Sequence, residues 1–206
     1  AAPRTAPTLR SEQRQLRSLR EFTAAISVCR RSGRWEEACW LLQELREQGL
    51  ELDVVVCSAC ISATERARQW QRSLAQLQEL PSRGLELDVI VCSAGASACE
   101  KGGHWRGASW LLSSMSGSAL EPNAVTCNAV LSACEKASRW ANAVELLAEM
   151  RRVEQAPDVV AFSAVASSLG SARLWRPALE AMREVTARGL EPDLVACNAA
   201  LSALER

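Results

Sequence analysis

Tryptophan returns at a fixed interval of 35 residues, at Trp35, Trp70, Trp105, Trp140 and Trp175. The same interval joins Ala24, Ala59, Ala94, Ala129, Ala164 and Ala199. It also joins Ser27, Ser62, Ser97, Ser132, Ser167 and Ser202. A chain made of copies of one segment does not fold around a single core. Each copy buries its apolar face against its neighbours, and the result is a linear array. In register, the complete units span residues 19–53, 54–88, 89–123, 124–158 and 159–193, and the first part of a sixth spans 194–206. Residues 1–18 lie ahead of the array as a basic tail or linker.

Each unit reads as two helices. In the second unit Val56, Ala59, Cys60 and Ala63 fall at i, i+3, i+4 and i+7, an amphipathic helical stripe. Trp70, Leu74 and Leu77 repeat that spacing in the second half, as do Trp140, Ala143, Leu147 and Met150 two units later. Gly33 and the pair Gly102–Gly103 stand just before tryptophans, where a tight connection benefits from positive φ. Pro177, two residues after Trp175, suits the first turn of a helix. Gly49, Gly84 and Gly189 read as stop signals, followed by Pro122, Pro157 or Pro192 at the penultimate position of later units. Pro81 falls late in a second helix and is expected to cut it short. Asp53, Asp88, Asn123, Asp158 and Asp193 close the units, each placed to cap the next first helix. The predicted fold is therefore all-α, a right-handed α-solenoid of tandem 35-residue helix-turn-helix repeats.

Composition narrows the function. Apolar residues make up 48% of the chain, too many for disorder, and aromatics only 4%, which suits thin two-layer helical packing. Net charge is zero, against a whole-surface nucleic-acid binder. Residues 1–34, however, carry eight arginines against Glu12 and Glu21, so the remainder is net acidic and any anion binding must come from a local stripe. An arginine-rich, acid-poor start has the flavour of an organellar transit segment, with a solvated tail as the plainer alternative. No run of about 18 apolar residues offers a membrane span. Nine cysteines, an odd number, argue against a disulfide framework and for a reducing compartment.

The units AVTCNAVLSACEKASRWANAVELLAEMRRVEQAPD (124–158) and VIVCSAGASACEKGGHWRGASWLLSSMSGSALEPN (89–123) resemble pentatricopeptide repeats. The period, the closing Pro-Asp, Asn or Ser at the fifth position, and Ala, Leu-Leu and Met in the second helix all agree. The protein-binding tetratricopeptide repeat has a 34-residue period and does not fit. The chain departs from the family at the fourth position, where Cys57, Cys92, Cys127 and Cys197 replace the usual aromatic; Phe22 and Phe162 keep it. Unit one departs again with Arg20 at position two.

The resemblance implies sequence-selective binding of single-stranded RNA, one base per unit. The implied base-reading pairs are Thr23 with Asp53, Ser58 with Asp88, Ser93 with Asn123, Asn128 with Asp158, and Ser163 with Asp193. Asn198 stands in the incomplete unit. Val55, Ile90, Val125, Val160 and Val195 are the implied base wedges. The family's associations of residue pair with base give a preference near 5′-GGAUG-3′. Helix capping alone also accounts for a polar residue at these sites. Organellar RNA processing, stability, editing or translation is the setting the family implies, in a chloroplast or mitochondrion.

No other constellation composes an active site. Cys57 and Cys60 form a lone CxxC in one helix, short of the four ligands that a zinc site needs. Cys92 and Cys99 lie two helical turns apart, as do Cys127 and Cys134, about 10 Å and beyond disulfide reach. His104 reads as a solvated turn residue and the Ser27 column as packing. Glu51, Glu86, Glu121 and Glu191 read as solvated surface. The expectation is a chain that is no enzyme and takes no metal and no cofactor. Two alternatives remain. One is a protein-interaction scaffold, with protein partners suited to a near-neutral, arginine-poor groove. The other is the binding part of a nuclease or deaminase.

Overall fold

The computed structural model describes residues 18–152 and 155–204. The basic tail, save Ser18, lies outside them. Eleven helices occur among the described residues: α1 (Leu19–Ser32), α2 (Trp35–Glu47), α3 (Val54–Arg66), α4 (Trp70–Ser82), α5 (Val89–Gly102), α6 (Trp105–Gly117), α7 (Ala124–Lys136), α8 (Trp140–Arg152), α9 (Val159–Ser171), α10 (Trp175–Ala187) and α11 (Leu194–Leu204). Every second helix begins on the repeating tryptophan. None of these helices is long and apolar enough to cross a membrane.

First helices stack directly on first helices, from α1 to α3 and onward to α11. Each second helix packs on its own first helix and on the first helix of the next unit. The inner layer is therefore continuous and the outer layer splayed, which bends the array toward its first helices. Small residues allow the inner approach: Ala59, Ala129, Ala164 and Ala199 are all buried. The fourth-position column is buried at Phe22, Cys57, Cys92, Cys127 and Phe162, so cysteine fills the aromatic's place as a small hydrophobe. A further in-phase column, Leu45, Leu80, Met115, Met150 and Val185, closes the core from the outer helices. Ser73 occupies the otherwise invariant alanine column of Ala38, Ala108, Ala143 and Ala178. Its hydroxyl is satisfied by Thr64 at 2.8 Å.

Among the described residues one left-handed position recurs in the turn within each unit and a second in the turn that follows the second helix. Gly33, Arg68, Gly103, Ser138 and Arg173 all have φ between 54° and 72°. Gly49, Gly84, Ala119 and Gly189 form the second column. Glycine meets this demand without strain, whereas Arg68, Ser138, Arg173 and Ala119 are held there by the stacking. Gly102 is the last residue of α5 and takes no part in the turn. Leu50 N–H returns to the Leu45 carbonyl and Gly49 N–H to Arg46, the double bond of a left-handed helix stop.

The expectation for Pro81 needs correction. Helix α4 runs through it to Ser82 and has 13 residues, as many as α2, α6, α8 and α10. Proline removes one N–H in the final turn, while Leu77 and Leu80 stay buried and hold that turn against the core.

Gly170 exposes how tight the inner layer is. A Cβ added there would lie 2.6 Å from the Ala199 carbonyl oxygen of α11, whereas one at Gly117 meets nothing within 4 Å. Gly170→Ala should lower stability by about 1–3 kcal/mol in urea denaturation. Gly117→Ala should be neutral or raise stability by up to about 1 kcal/mol. Equal effects would contradict this packing.

Candidate nucleic-acid interface

The inner helices carry a surface that folding does not explain. Val55, Ile90, Val125, Val160 and Val195, one per unit, are exposed by between 52% and 74%. Each lies in the first turn of its helix, directly before a buried residue: Val56, Val91, Thr126, Ala161 and Ala196. Five aliphatic side chains in the same phase keep more than half of their surface in solvent. In unit one the position is held by Arg20, also exposed.

The closing residues do cap the following helices. Asp53 accepts from Val55 N–H at 3.3 Å, and Asp88 from Val91 N–H at 2.6 Å. Asn123 accepts from Thr126 N–H at 2.8 Å, Asp158 from Ala161 N–H at 2.9 Å, and Asp193 from Ala196 N–H at 2.7 Å. In three units the capping residue also meets the fifth residue of its own unit, 30 positions back. Ser93 Oγ donates to Asn123 Oδ1 at 3.4 Å, Asn128 Nδ2 to Asp158 Oδ2 at 2.8 Å, and Ser163 Oγ to Asp193 Oδ1 at 2.9 Å. Capping one helix fixes the carboxylate; stacking that helix on its predecessor sets the carboxylate beside position five. Capping and pairing are thus one arrangement.

The pairing is not uniform. All four hydroxyls at position five donate to a carbonyl of their own helix, Thr23 to Leu19 at 2.7 Å, Ser58 to Val55 at 3.1 Å, Ser93 to Val89 at 2.6 Å and Ser163 to Val159 at 2.7 Å. Only Ser93 and Ser163 share that proton with the closing residue, and Thr23 and Ser58 do not meet Asp53 and Asp88. Ser93 also shares a 2.7 Å hydrogen bond with Thr126. Ser163 is buried, so a ligand must displace its bond to Asp193 to reach it. Asn128 Oδ1 is buried and finds no hydrogen-bond partner among the described residues. Asn198 is exposed on α11.

A cation column completes the face. Arg31, Arg66, Lys101 and Lys136 are 35 residues apart, exposed, and in the last turns of their helices, where they oppose the helix dipole. Eleven residues separate position two from this position, so the two lie within about 20° on the helical wheel and roughly 16 Å apart along the axis. The in-phase serines Ser62, Ser97 and Ser132 lie between them, all half-buried. One inner stripe thus runs from an exposed aliphatic residue through small serines to a cation. Lys101 pairs with Glu65 at 2.8 Å and Lys136 with Glu100 at 2.9 Å, each reaching back to the preceding unit. These exposed pairs are weak and can be exchanged for an anion. The column follows the same period as the tryptophans and could have been found with it.

His104 corrects the reading of a solvated turn residue. Its Nδ1 accepts from Gly107 N–H at 3.1 Å, capping α6, and its ring stacks on Trp70 at 3.8 Å. Burial, then the Arg106 charge, lowers its pKa, so it stands as a neutral cap. The core cysteines are inert: burial pushes Cys92 and Cys127 up to about 11 and Cys99 to about 12.

A stacked array of helical hairpins with one phase-locked set of side chains along its inner face defines an α-solenoid. Family models describe which one: the PPR repeat over residues 22–50, the pentatricopeptide repeat domain over 75–136 and the PPR repeat family over 122–171. The chain belongs to the pentatricopeptide repeat family. No curated protein sequence matches it. Among solved structures it is similar to the pentatricopeptide repeat protein PPR10 from maize, at 28% identity and a TM-score of 0.71. That match covers 91% of this chain and 27% of PPR10, so the chain spans about a quarter of its relative. PPR10 in complex with an 18-nt psaJ RNA element matches at 26% identity over 90% of this chain and 26% of that one, with a TM-score of 0.65. The PPR domain of Arabidopsis thaliana protein-only RNase P 1, in complex with tRNA, matches at 12% identity over 89% of this chain and 97% of that one. Its TM-score of 0.76 is a likeness of fold.

Because Ile90 is 74% exposed, Ile90→Ser should change folding stability by less than about 0.5 kcal/mol. Asp158→Ala, which removes a cap, should cost about 1 kcal/mol. Denaturation curves of the two variants distinguish these outcomes, and a larger loss for Ile90→Ser would assign that column to packing.

Proposed function

We propose that this chain binds single-stranded RNA along its inner face, one base per unit, and acts as a binder and not a catalyst. The exposed in-phase aliphatic column carries the reading. It offers a flat apolar contact to a base at each step, beside a polar pair able to meet the base edge. Burying one such Val or Ile contributes on the order of 1.5–3 kcal/mol, less the cost of ordering the strand. The cations at the far end of the stripe supply phosphate contacts that net charge conceals. Residues 19–206 are the binding array in this reading, and an organellar setting accords with the family.

The reading pairs are Ser58 with Asp88, Ser93 with Asn123, Asn128 with Asp158, Ser163 with Asp193 and, less completely, Thr23 with Asp53, whose unit carries Arg20 in place of a wedge. The three pairs already in contact support joint recognition, since a cap has no need of position five. By the family's associations the favoured sequence lies near 5′-GGAUG-3′, with Asn128 and Asp158 taking the uracil. So few bases do not single out one transcript, and a longer array or partner proteins would add selectivity.

Selection from a randomised RNA pool should enrich sequences near GGAUG. Binding should weaken with salt at a logarithmic slope of about −3 if all four cations meet phosphates. Val125→Ser should weaken binding about tenfold, the equivalent of about 1.4 kcal/mol. Asn128→Ser should move the fourth preference from uracil to guanine. No enrichment, together with salt-independent capture of a protein, would favour the scaffold reading.

A further inference from the structure

On the outer side of the array a cleft of about 490 Å³ opens between α2 and α4, lined by Trp40, Cys39, Arg46, Arg72 and Gln76 among others. Cys39 is half-buried at this cleft, and Cys60 of α3 lies buried behind it. The Cys60 S–H points at Cys39 Sγ, with the two sulfurs 3.9 Å apart. Gln76 Nε2 donates to both sulfurs, at 3.5 Å to Cys39 and 3.1 Å to Cys60. That orientation leaves Gln76 Oε1 buried and without a partner, so the amide is turned toward the sulfurs at the cost of its own acceptor.

Electrostatics separates the two thiols. The Cys60 S–H bond outweighs burial and, with Arg72, Gln76 and Arg46, holds Cys39 down to about 7. Cys60, which gives that bond and is more deeply buried, is pushed far up. Cys39 therefore ionises more readily than Cys60, at a half-buried site in a cleft where Arg72 and Arg46 stand among Glu36 and Glu79, with Arg46 paired to Glu79 at 2.8 Å. Cys92, Cys99, Cys127 and Cys134 have neither the cleft nor the cations.

We propose that Cys39 and Cys60 form a hydroperoxide-responsive dithiol whose closure links unit one covalently to unit two. The Cys39 thiolate attacks the distal oxygen of a hydroperoxide. An S–O bond forms, the O–O bond breaks, and the alkoxide or hydroxide leaving group takes a proton from solvent. Cys39 becomes a sulfenic acid and the peroxide is reduced. Cys60 sulfur then attacks Cys39 sulfur. The S–O bond breaks, and the departing hydroxide takes the Cys60 proton and leaves as water. An S–S bond near 2.05 Å requires the sulfurs, now 3.9 Å apart, to approach by roughly 2 Å. A dithiol reductant reverses the link. The site stands on the outer layer and is independent of what the inner face binds.

The test uses the reduced chain, treated with one equivalent of hydrogen peroxide and mapped by tryptic mass spectrometry. A chain lighter by about 2 Da, the two thiol hydrogens lost, is expected. The peptide of residues 35–46 should be joined to that of residues 47–66, and dithiothreitol should restore both. The second peptide also holds Cys57, so the link should survive Cys57→Ala and vanish in Cys60→Ala, with dimedone then trapping a sulfenic acid at Cys39. Iodoacetamide should label Cys39 at least about tenfold faster than Cys92 in the untreated native chain. Labelling of Cys39 no faster than Cys92, or an oxidised wild-type chain without the 35–46 to 47–66 link, would overturn the proposal. Fragmentation of the linked wild-type peptides, which places the bond at Cys60 or at Cys57, decides the matter even if a variant fails to fold.

Discussion

The close stacking of first helix on first helix is what everything else in this molecule depends on. A solenoid holds its phase only if neighbouring units approach at the same distance and angle each time, and small buried side chains set that distance. Ala59, Ala129 and Ala164 recur on the contact, and Gly170 admits the Ala199 carbonyl of the next unit directly. The cost of this regularity falls on the turns. Arg68, Ser138 and Arg173 are forced into the left-handed region that Gly33 and Gly103 occupy freely, because a different turn would rotate one hairpin out of step. The fold accepts local strain to keep the period.

That regularity turns ordinary capping into something more specific. Asp158 is an N-cap like thousands of others, yet one carboxylate oxygen holds Ala161 N–H while the other receives Asn128 Nδ2 from the preceding unit. Because each cap is fixed by the helix it begins, its free edge is preorganised against position five without any dedicated support. Polar pairs of this kind, which the proposed function assigns to base reading, come at little cost to stability and can change from unit to unit while the scaffold stays constant. Ser93 with Asn123 and Asn128 with Asp158 are two settings of the same device.

Most of the fold was legible from the 35-residue period, since a copied segment fixes helix placement, unit boundaries and caps together. The exposure of Val55, Ile90, Val125, Val160 and Val195 followed from the family resemblance; periodicity alone would have allowed these residues a place in the core. Pro81 stays inside α4 against its propensity, because in a final turn propensity yields to the burial of Leu77 and Leu80. His104 was misread because a turn residue gives no sign of the tryptophan that stacks on it from 34 positions back. The cations Arg31, Arg66, Lys101 and Lys136 were hidden in a net charge of zero, though their spacing was plain. Cys39 and Cys60 come together only through the packing of α2 on α3, which no spacing rule anticipates. Non-glycine residues in left-handed turns were equally invisible, because their residue types argue against that conformation.

If unit and base correspond one to one, removing a whole unit must remove one base and nothing else. Excision of residues 89–123, followed by RNA selection and a melting curve, measures this directly. The account predicts a chain that still folds, since the capping residue Asp88 then precedes Ala124 in the same register, and a selected sequence that is shorter by its third base alone. A folded chain whose selected sequence is unchanged, or is scrambled throughout, would contradict it.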